Sequence, residues 1–421
     1  MPMSMLHEQN PQGSQTHATA RGRLLFRIVL SAWILLCLGI CIRAAIWPHR
    51  NAVYPAFSDA GRCWVQSADN YDTHFWALGI DQFRYSPIVT VFFVPFGLLP
   101  DSLGGVLWRL INTAVLFAGV VVYCRATWPG PNRIGLGAAA AIGALLMPLS
   151  LSSLQNGQAN PLVIGMLLLA VAATLHGRWN WAALMLAAPI YFKIYPVAVA
   201  LLLLLIYPRP LGWRLFALMV LGILLPFAAQ DIGYVSRQYD QWIGRLLHDD
   251  RSVNVFADSY RDLWLLLRIA GLPISRASYL LLQAVAAAAI AGIIVVGRCR
   301  RWPTRELLHT ALDLGCCWMV LLGPATENCT VILIAPTFAL AVWQAFAEPR
   351  PLWTRVLLAG IVCIFVASAV ITSLPGGRNW AYPLNPLATL LLAVERVLHL
   401  DTATVRMLHA TDIWSEPAQA A

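Results

Sequence analysis

Polar residues set within long apolar runs are costly in a membrane and so mark candidate functional sites, and four clusters of them stand out in this chain. The first is Phe57-Ser58-Asp59-Ala60-Gly61-Arg62, followed by Asp69-Asn70-Tyr71-Asp72. An acidic side chain at the mouth of a helical bundle can act as a general base once it reaches an acceptor hydroxyl. Ser58 or Asp59 can equally cap a short helix running through Trp64 and Val65. The second cluster is Phe83-Arg84-Tyr85-Ser86-Pro87, at the start of an apolar run. Arg84 offers a phosphate two parallel N–H donors, or it anchors the segment at the membrane interface beside Tyr85. The third, Leu154-Gln155-Asn156-Gly157-Gln158-Ala159-Asn160-Pro161, carries four amides within six positions. Amides both donate and accept, which suits sugar hydroxyls and phosphate oxygens. A plain hairpin with Gly157 at the turn and Pro161 opening the next helix is the alternative. The fourth pairs Lys193, in Tyr191-Phe192-Lys193-Ile194-Tyr195-Pro196, with Glu327, in Gly323-Pro324-Ala325-Thr326-Glu327-Asn328. Lys193 lies too deep in an apolar stretch to snorkel easily and needs an anionic partner. A lipid phosphate, Asp59 or Glu327 can supply it, the last as a structural pair holding the bundle together.

The elements that must hold these residues are membrane helices. Of 421 residues, 59% are hydrophobic and 12% charged, against about 25% charged in a soluble domain, so a water-soluble enzyme with one buried core is disfavoured. Apolar runs fall at 24–47, 86–99, 103–124, 134–152, 161–176, 181–206, 214–229, 278–297, 307–323, 329–347, 353–373 and 384–399. Several reach or approach the roughly 20 residues that cross a bilayer as a helix. The formal charge of +9 resides in arginine clusters between these runs, where the positive-inside rule expects them, so the basic balance calls for no nucleic acid. Nine cysteines, mostly within apolar stretches (Cys37, Cys41, Cys316, Cys317, Cys363), show neither a disulfide framework nor zinc-like spacing.

Residues 1–20 read as a disordered cytoplasmic tail without a cleavable signal peptide, 21–400 as the membrane domain and 401–421 as a cytoplasmic C-terminal tail. Arg21, Arg23 and Arg27 place the N-terminus inside, so 48–85, 153–160, 230–277, 324–328 and 374–383 fall outside. Aromatic and basic residues in 230–277 suit helices lying at the outer interface in contact with lipid. Two stretches must be broken for this count to hold. The 86–124 stretch makes one net crossing, and 181–206 begins and ends inside. Broken helices at membrane depth survive where they line a buried or water-filled cavity, which points to an intramembrane site. No fixed-period repeat or similarity between halves supports an inverted-repeat carrier. Phosphate-binding glycine loops, dinucleotide fingerprints, paired His/Glu metal motifs and nucleophile elbows are absent from the sequence, which argues against a soluble nucleotide-dependent site.

In order and content the clusters resemble the polyprenol-phosphate-sugar-dependent glycosyltransferases of family 87, which belong to the C-type membrane fold and include bacterial alpha-mannosyltransferases. The resemblance rests on Asp59, Tyr71-Asp72, Arg84-Tyr85-Ser86-Pro87, the amide turn, Lys193-Ile194-Tyr195-Pro196 and Gly323-Pro324-Ala325-Thr326-Glu327, and spans about residues 24–345. It implies an all-α polytopic membrane bundle of about 10–13 hydrophobic helices, some short or broken. It also implies inverting transfer of a hexose, mannose among its members, from a polyprenyl-phosphate donor to a lipid or glycan hydroxyl at the extracytoplasmic face of a bacterial cytoplasmic membrane. Asp59 would be the base, and Lys193 and Arg84 would hold the leaving phosphate, with no metal needed because two cations neutralise a monophosphate. Tyr71, Asp72, Tyr85, Gln155, Asn156, Gln158, Asn160, Tyr195 and Glu327 would orient sugar or acceptor. The expected partners are membrane lipids, the lipid-linked donor and a glycolipid or glycan acceptor, with no nucleic acid and no cofactor beyond the donor. Relatives of this type often carry a histidine soon after the Pro-rich turn, where this chain has Glu327-Asn328-Cys329; Glu327 takes that position or pairs with Lys193. A lipid-linked sugar flippase, or a polymerase or ligase using a pyrophosphate-linked donor, are the competing readings.

Overall fold

A backbone in hydrocarbon finds no water, so its N–H and C=O groups must pair within helices or around a closed barrel. The computed structural model describes residues 11–50, 52–71, 82–128, 134–248, 255–272, 274–374, 376–377 and 381–412. Among these the chain takes the helical route, with no strand. In order the helices are α1 (Pro11–Ile46), α2 (Tyr54–Val65), α3 (Pro87–Gly97), α4 (Asp101–Thr127), α5 (Leu136–Asn156) and α6 (Asn160–Leu175). They continue with α7 (Trp179–Phe192), α8 (Val197–Ile206), α9 (Pro208–Ala229), α10 (Ile232–His248), α11 (Leu263–Ile269) and α12 (Arg276–Cys299). The last are α13 (Thr304–Leu321), α14 (Ala335–Ala347), α15 (Leu352–Ser373) and α16 (Leu384–Asp412), with 3-10 turns at Phe256–Asp258 and Asn328–Leu333.

Six of the described helices are long and apolar enough to cross a bilayer: the Ala20–Ile46 part of α1, and α4, α5, α9, α12 and α15. Helices α3, α6, α8 and α14 are apolar but shorter. Large apolar side chains such as Leu35, Phe216 and Leu281 stand exposed on the outer helices, as lipid contact requires and water would penalise. The chain is an all-α integral membrane protein.

Both expected breaks are present. At 11 residues, α3 is about 17 Å long, well short of the roughly 30 Å hydrocarbon core, whereas α4 is long enough to cross by itself. The 181–206 stretch divides into α7 and α8 around Lys193, whose backbone is extended at φ −150°, ψ 137°. Pro196 cannot donate to a continuing helix and caps α8 instead. Of the expected tails, residues 1–10 and 413–421 lie outside the described residues. With no proline between Gln12 and Ile46, helix α1 already runs from Pro11. With no proline or glycine between Leu387 and Asp412, α16 continues to Asp412.

The connections sort by end. At one end Arg305 Nη1 donates to the Trp128 carbonyl at 2.9 Å, joining basic loops. At the other, the Val53 N–H donates to the Asn156 carbonyl at 2.8 Å, Ser86 Oγ to the Tyr191 carbonyl at 2.8 Å, and Asn160 Nδ2 to the Cys329 carbonyl at 2.9 Å. The polar clusters picked from the sequence therefore meet at a single end of the bundle.

Candidate active site

The Asp59 helix is fixed before its carboxylate is considered. Helix α2 begins at Tyr54 with Pro55 in its first turn and Val53 as the capping residue, so Asp59 lies inside the helix and neither it nor Ser58 is the cap. The proline sets the start, because its fixed φ suits a first turn where its missing N–H costs nothing. Gly61 lets α2 lie directly on α3: a Cβ there would sit 2.3 Å from the Phe93 carbonyl oxygen. Phe57 stacks on Phe93 at 4.5 Å between centroids and touches Tyr85 at 4.6 Å and Trp108 at 5.6 Å. All of this anchors one face of α2 in the core. Asp59, two residues on and so about 200° round the helix, projects from the other side and is half-buried.

There Arg62 binds Asp59 and also Asp101, the first residue of α4. Ser58 Oγ donates to Asp101 Oδ1 at 2.8 Å, and His49 Nε2 lies 3.3 Å from Asp101 Oδ2. Burial pushes the Asp59 carboxyl above its ordinary range; the hydrogen bond and charge of Arg62 pull it down, and Asp101 pushes it up again. A base held above the usual carboxylate range is better matched to proton transfer near neutral pH.

A second network gathers the amide turn, the α7–α8 break and the Pro-rich turn. Gly157 adopts φ +72°, the left-handed residue that ends α5. The buried Arg109 of α4 holds that end from below, donating to the carbonyls of Leu154 at 3.1 Å and Gln155 at 2.8 Å. The turn thus presents Gln158, whose Oε1 accepts from Lys193 Nζ at 3.3 Å and from the Tyr85 hydroxyl at 3.5 Å. Lys193 also lies over the Tyr195 ring, and the Tyr195 hydroxyl donates to Asn160 Oδ1 at 2.8 Å. Through Asn160 the network reaches Cys329, whose thiol is 3.5 Å from Glu327 Oε2. Glu327 closes a capping box with Thr330 at the head of Asn328–Leu333, which gives it a structural role whatever else it does. The half-buried Asn156 keeps Oδ1 shielded and without a hydrogen-bond partner, as Thr326 does Oγ1. Unpaired groups of this kind suit a substrate hydroxyl.

Arg84 faces elsewhere. It lines a cavity of about 210 Å³ together with Arg245, Arg268 and Arg276, and the carboxylate of Asp262. Among the described residues, four guanidinium groups and one carboxylate line this recess, and guanidinium groups suit phosphate oxygens. Burial pushes the Asp262 carboxyl up to about 6, although the Leu265 N–H that it caps pulls the other way. The Tyr71 hydroxyl is engaged by the Tyr85 carbonyl at 2.7 Å, so Tyr71 supports the re-entry segment, which Trp242 Nε1 also braces at the Arg84 carbonyl, 3.2 Å away. Asp72 lies outside the described residues. Arg62, Asp101, Arg109, Arg268 and Arg276 escaped the sequence reading. Only Arg62 carried a local signal, its spacing of one helical turn from Asp59; the others converge from distant elements.

No curated protein matches the chain. The family model of glycosyltransferase family 87 matches residues 83–324, more than half of the 421 residues. That range takes in Arg84, Tyr85, the amide turn, Lys193, Tyr195 and the arginine-lined cavity to Pro324, and leaves out Asp59, Tyr71, Asp72 and Glu327. On a match that runs from the re-entry segment through both broken stretches, the chain belongs to glycosyltransferase family 87.

Proposed function

We propose that this membrane glycosyltransferase moves a hexose, mannose in our reading, from a polyprenyl-phosphate donor to a hydroxyl of a lipid or glycan acceptor, with inversion. The arginine-rich end of the bundle is then cytoplasmic by the positive-inside rule, and the reaction takes place at the outer face of a bacterial cytoplasmic membrane. The observation that carries this is the gathering, at one end of an apolar bundle, of an accessible carboxylate, an amide–lysine network and an arginine-lined cavity. Asp59 takes the proton of the acceptor hydroxyl, whose oxygen attacks the anomeric carbon. The bond from that carbon to the phosphate oxygen breaks, and its electron pair leaves on the polyprenyl phosphate. Lys193 and Arg84, with Arg245, Arg268 and Arg276 beside it, stabilise that charge, since fixed electrostatic help at a developing anion is usually a large catalytic contribution. Gln155, Asn156, Gln158, Asn160, Tyr85 and Tyr195 orient the sugar, and Glu327 holds the turn that faces them.

One observation favours a second reading. Four arginines around one cavity exceed what a monophosphate needs and would suit a pyrophosphate-linked donor, as in a glycan polymerase or ligase. The protein in proteoliposomes, offered radiolabelled hexose on polyprenyl phosphate and on polyprenyl pyrophosphate, separates the two. Transfer from the monophosphate is expected; transfer from the pyrophosphate alone would overturn that assignment, and label that crosses the bilayer without forming product would indicate a flippase.

A further inference from the structure

The opposite end of the bundle holds a second cavity, about 720 Å³, between α13, α14, α15 and α16. Apolar helices have little reason to enclose charge, yet its inner part is ionic. Asp313 and Glu395, 3% and 0% exposed, stand on either side of Arg396, which lies 3.7 Å from Asp313 Oδ2 and donates to Glu395 Oε2. Two carboxylates against one guanidinium leave one negative charge unbalanced. Asp313 Oδ1 and Glu395 Oε1 are also shielded from water and have no hydrogen-bond partner. A buried carboxylate oxygen without a donor is unfavourable enough to require an explanation.

The rim is of mixed charge, with Arg305 and Arg350 beside Glu306 and Glu348. Arg350 pairs with Glu348 at 2.9 Å and contacts His399, and Arg305 lines the same opening. His399 is one turn beyond Glu395 on α16, so rim and floor are about 6 Å apart along that helix.

We propose that this cavity binds a zwitterion of a primary ammonium and a phosphate, the headgroup chemistry of phosphatidylethanolamine, with the ammonium at the unpaired oxygens of Asp313 and Glu395 and the phosphate at Arg350. The orphaned oxygens call for N–H donors, which a quaternary ammonium lacks. One surplus negative charge matches a monocation. A divalent metal fits poorly, because among the described residues no group of three metal-ligating side chains converges. A two-carbon link between ammonium and phosphate spans a distance comparable to one helical turn. The site is independent of the chemistry assigned to the other end.

Native mass spectrometry of the full chain in detergent, titrated with phosphatidylethanolamine, phosphatidylcholine or phosphatidylglycerol, tests the proposal. Retention of phosphatidylethanolamine about tenfold above both others is expected, the scale of one charge-assisted hydrogen bond. The Asp313→Asn/Glu395→Gln variant should lose that preference. Should it fail to fold, Arg350→Gln at the rim should weaken retention of the ethanolamine lipid. Competition by soluble phosphoethanolamine would identify a headgroup taken from water, and its absence a lipid-borne one. Equal retention of the three lipids, or variants that fold and keep the preference, would overturn the proposal.

Discussion

Asp59 and Arg62 stand one helical turn apart, and that spacing governs the pH response of the candidate base. Burial raises the Asp59 carboxyl and Arg62 lowers it. Because only the ionised carboxylate accepts a proton, the acid limb of kcat/KM should lie above the ordinary aspartate value of about 3.9. Arg62→Gln removes the lowering influence, so the limb should move to still higher pH; a pH–rate profile that stays put or shifts downward would separate Asp59 from the reaction. Lys193 acts on the other partner. Lys193→Gln should cost about 100-fold or more in turnover, the usual scale for losing a fixed stabiliser of developing charge, read as initial rates at saturating donor. The sequence exposed both residues, because a carboxylate at a loop–helix junction and a lysine inside an apolar run are each conspicuous. It left the partner of Lys193 open among Asp59, Glu327 and a lipid phosphate and did not name Gln158, to which the lysine donates, because that bond depends on how the turn folds.

Helices place these side chains, and the closest approaches are made possible by glycine. A Cβ on Gly119 of α4 would lie 2.4 Å from the Gly165 carbonyl oxygen of α6, backbone against backbone as small residues allow in membranes. Since α4 carries Arg109 and α6 begins at Asn160, this crossing holds the amide turn from both sides. Gly119→Leu should lower stability by about 1–3 kcal/mol, the range for overpacking, seen as a reduced unfolding temperature in detergent. Hydropathy together with proline and lysine placement disclosed both broken stretches, because 11 and 14 residues cannot span a bilayer. Of the two roles open to Ser58 and Asp59 the cap falls away, because Pro55, three residues before Ser58, sets the first turn of α2. How α2 lies on α3 was not legible. It rests on a contact between Gly61 and Phe93 across the 48–85 loop, and no periodicity encodes that.

In the proposed reading the two ends of the molecule carry separate chemistries, with the basic connections on the cytoplasmic side by the positive-inside rule. Cys299 is exposed at the end of α12 between Arg298 and Arg300, so a membrane-impermeant maleimide should label it in inverted vesicles and not in right-side-out ones. Labelling from outside would reverse the topology and place Asp59 in the cytoplasm. Architecture at this scale was legible because membrane burial writes itself into composition. The arginine-lined cavity was not, because Arg84, Arg245, Arg268 and Arg276 come from four separate segments, and each alone reads as an interfacial anchor. The central claim is that Asp59 removes the acceptor proton during transfer from a lipid-phosphate sugar. The most direct measurement is transfer of radiolabelled mannose from synthetic polyprenyl-phosphate mannose to lipid extract in proteoliposomes, with wild type beside Asp59→Asn matched for folding and insertion. The account predicts a labelled product from the wild type and its loss in the variant; undiminished turnover by Asp59→Asn would contradict it.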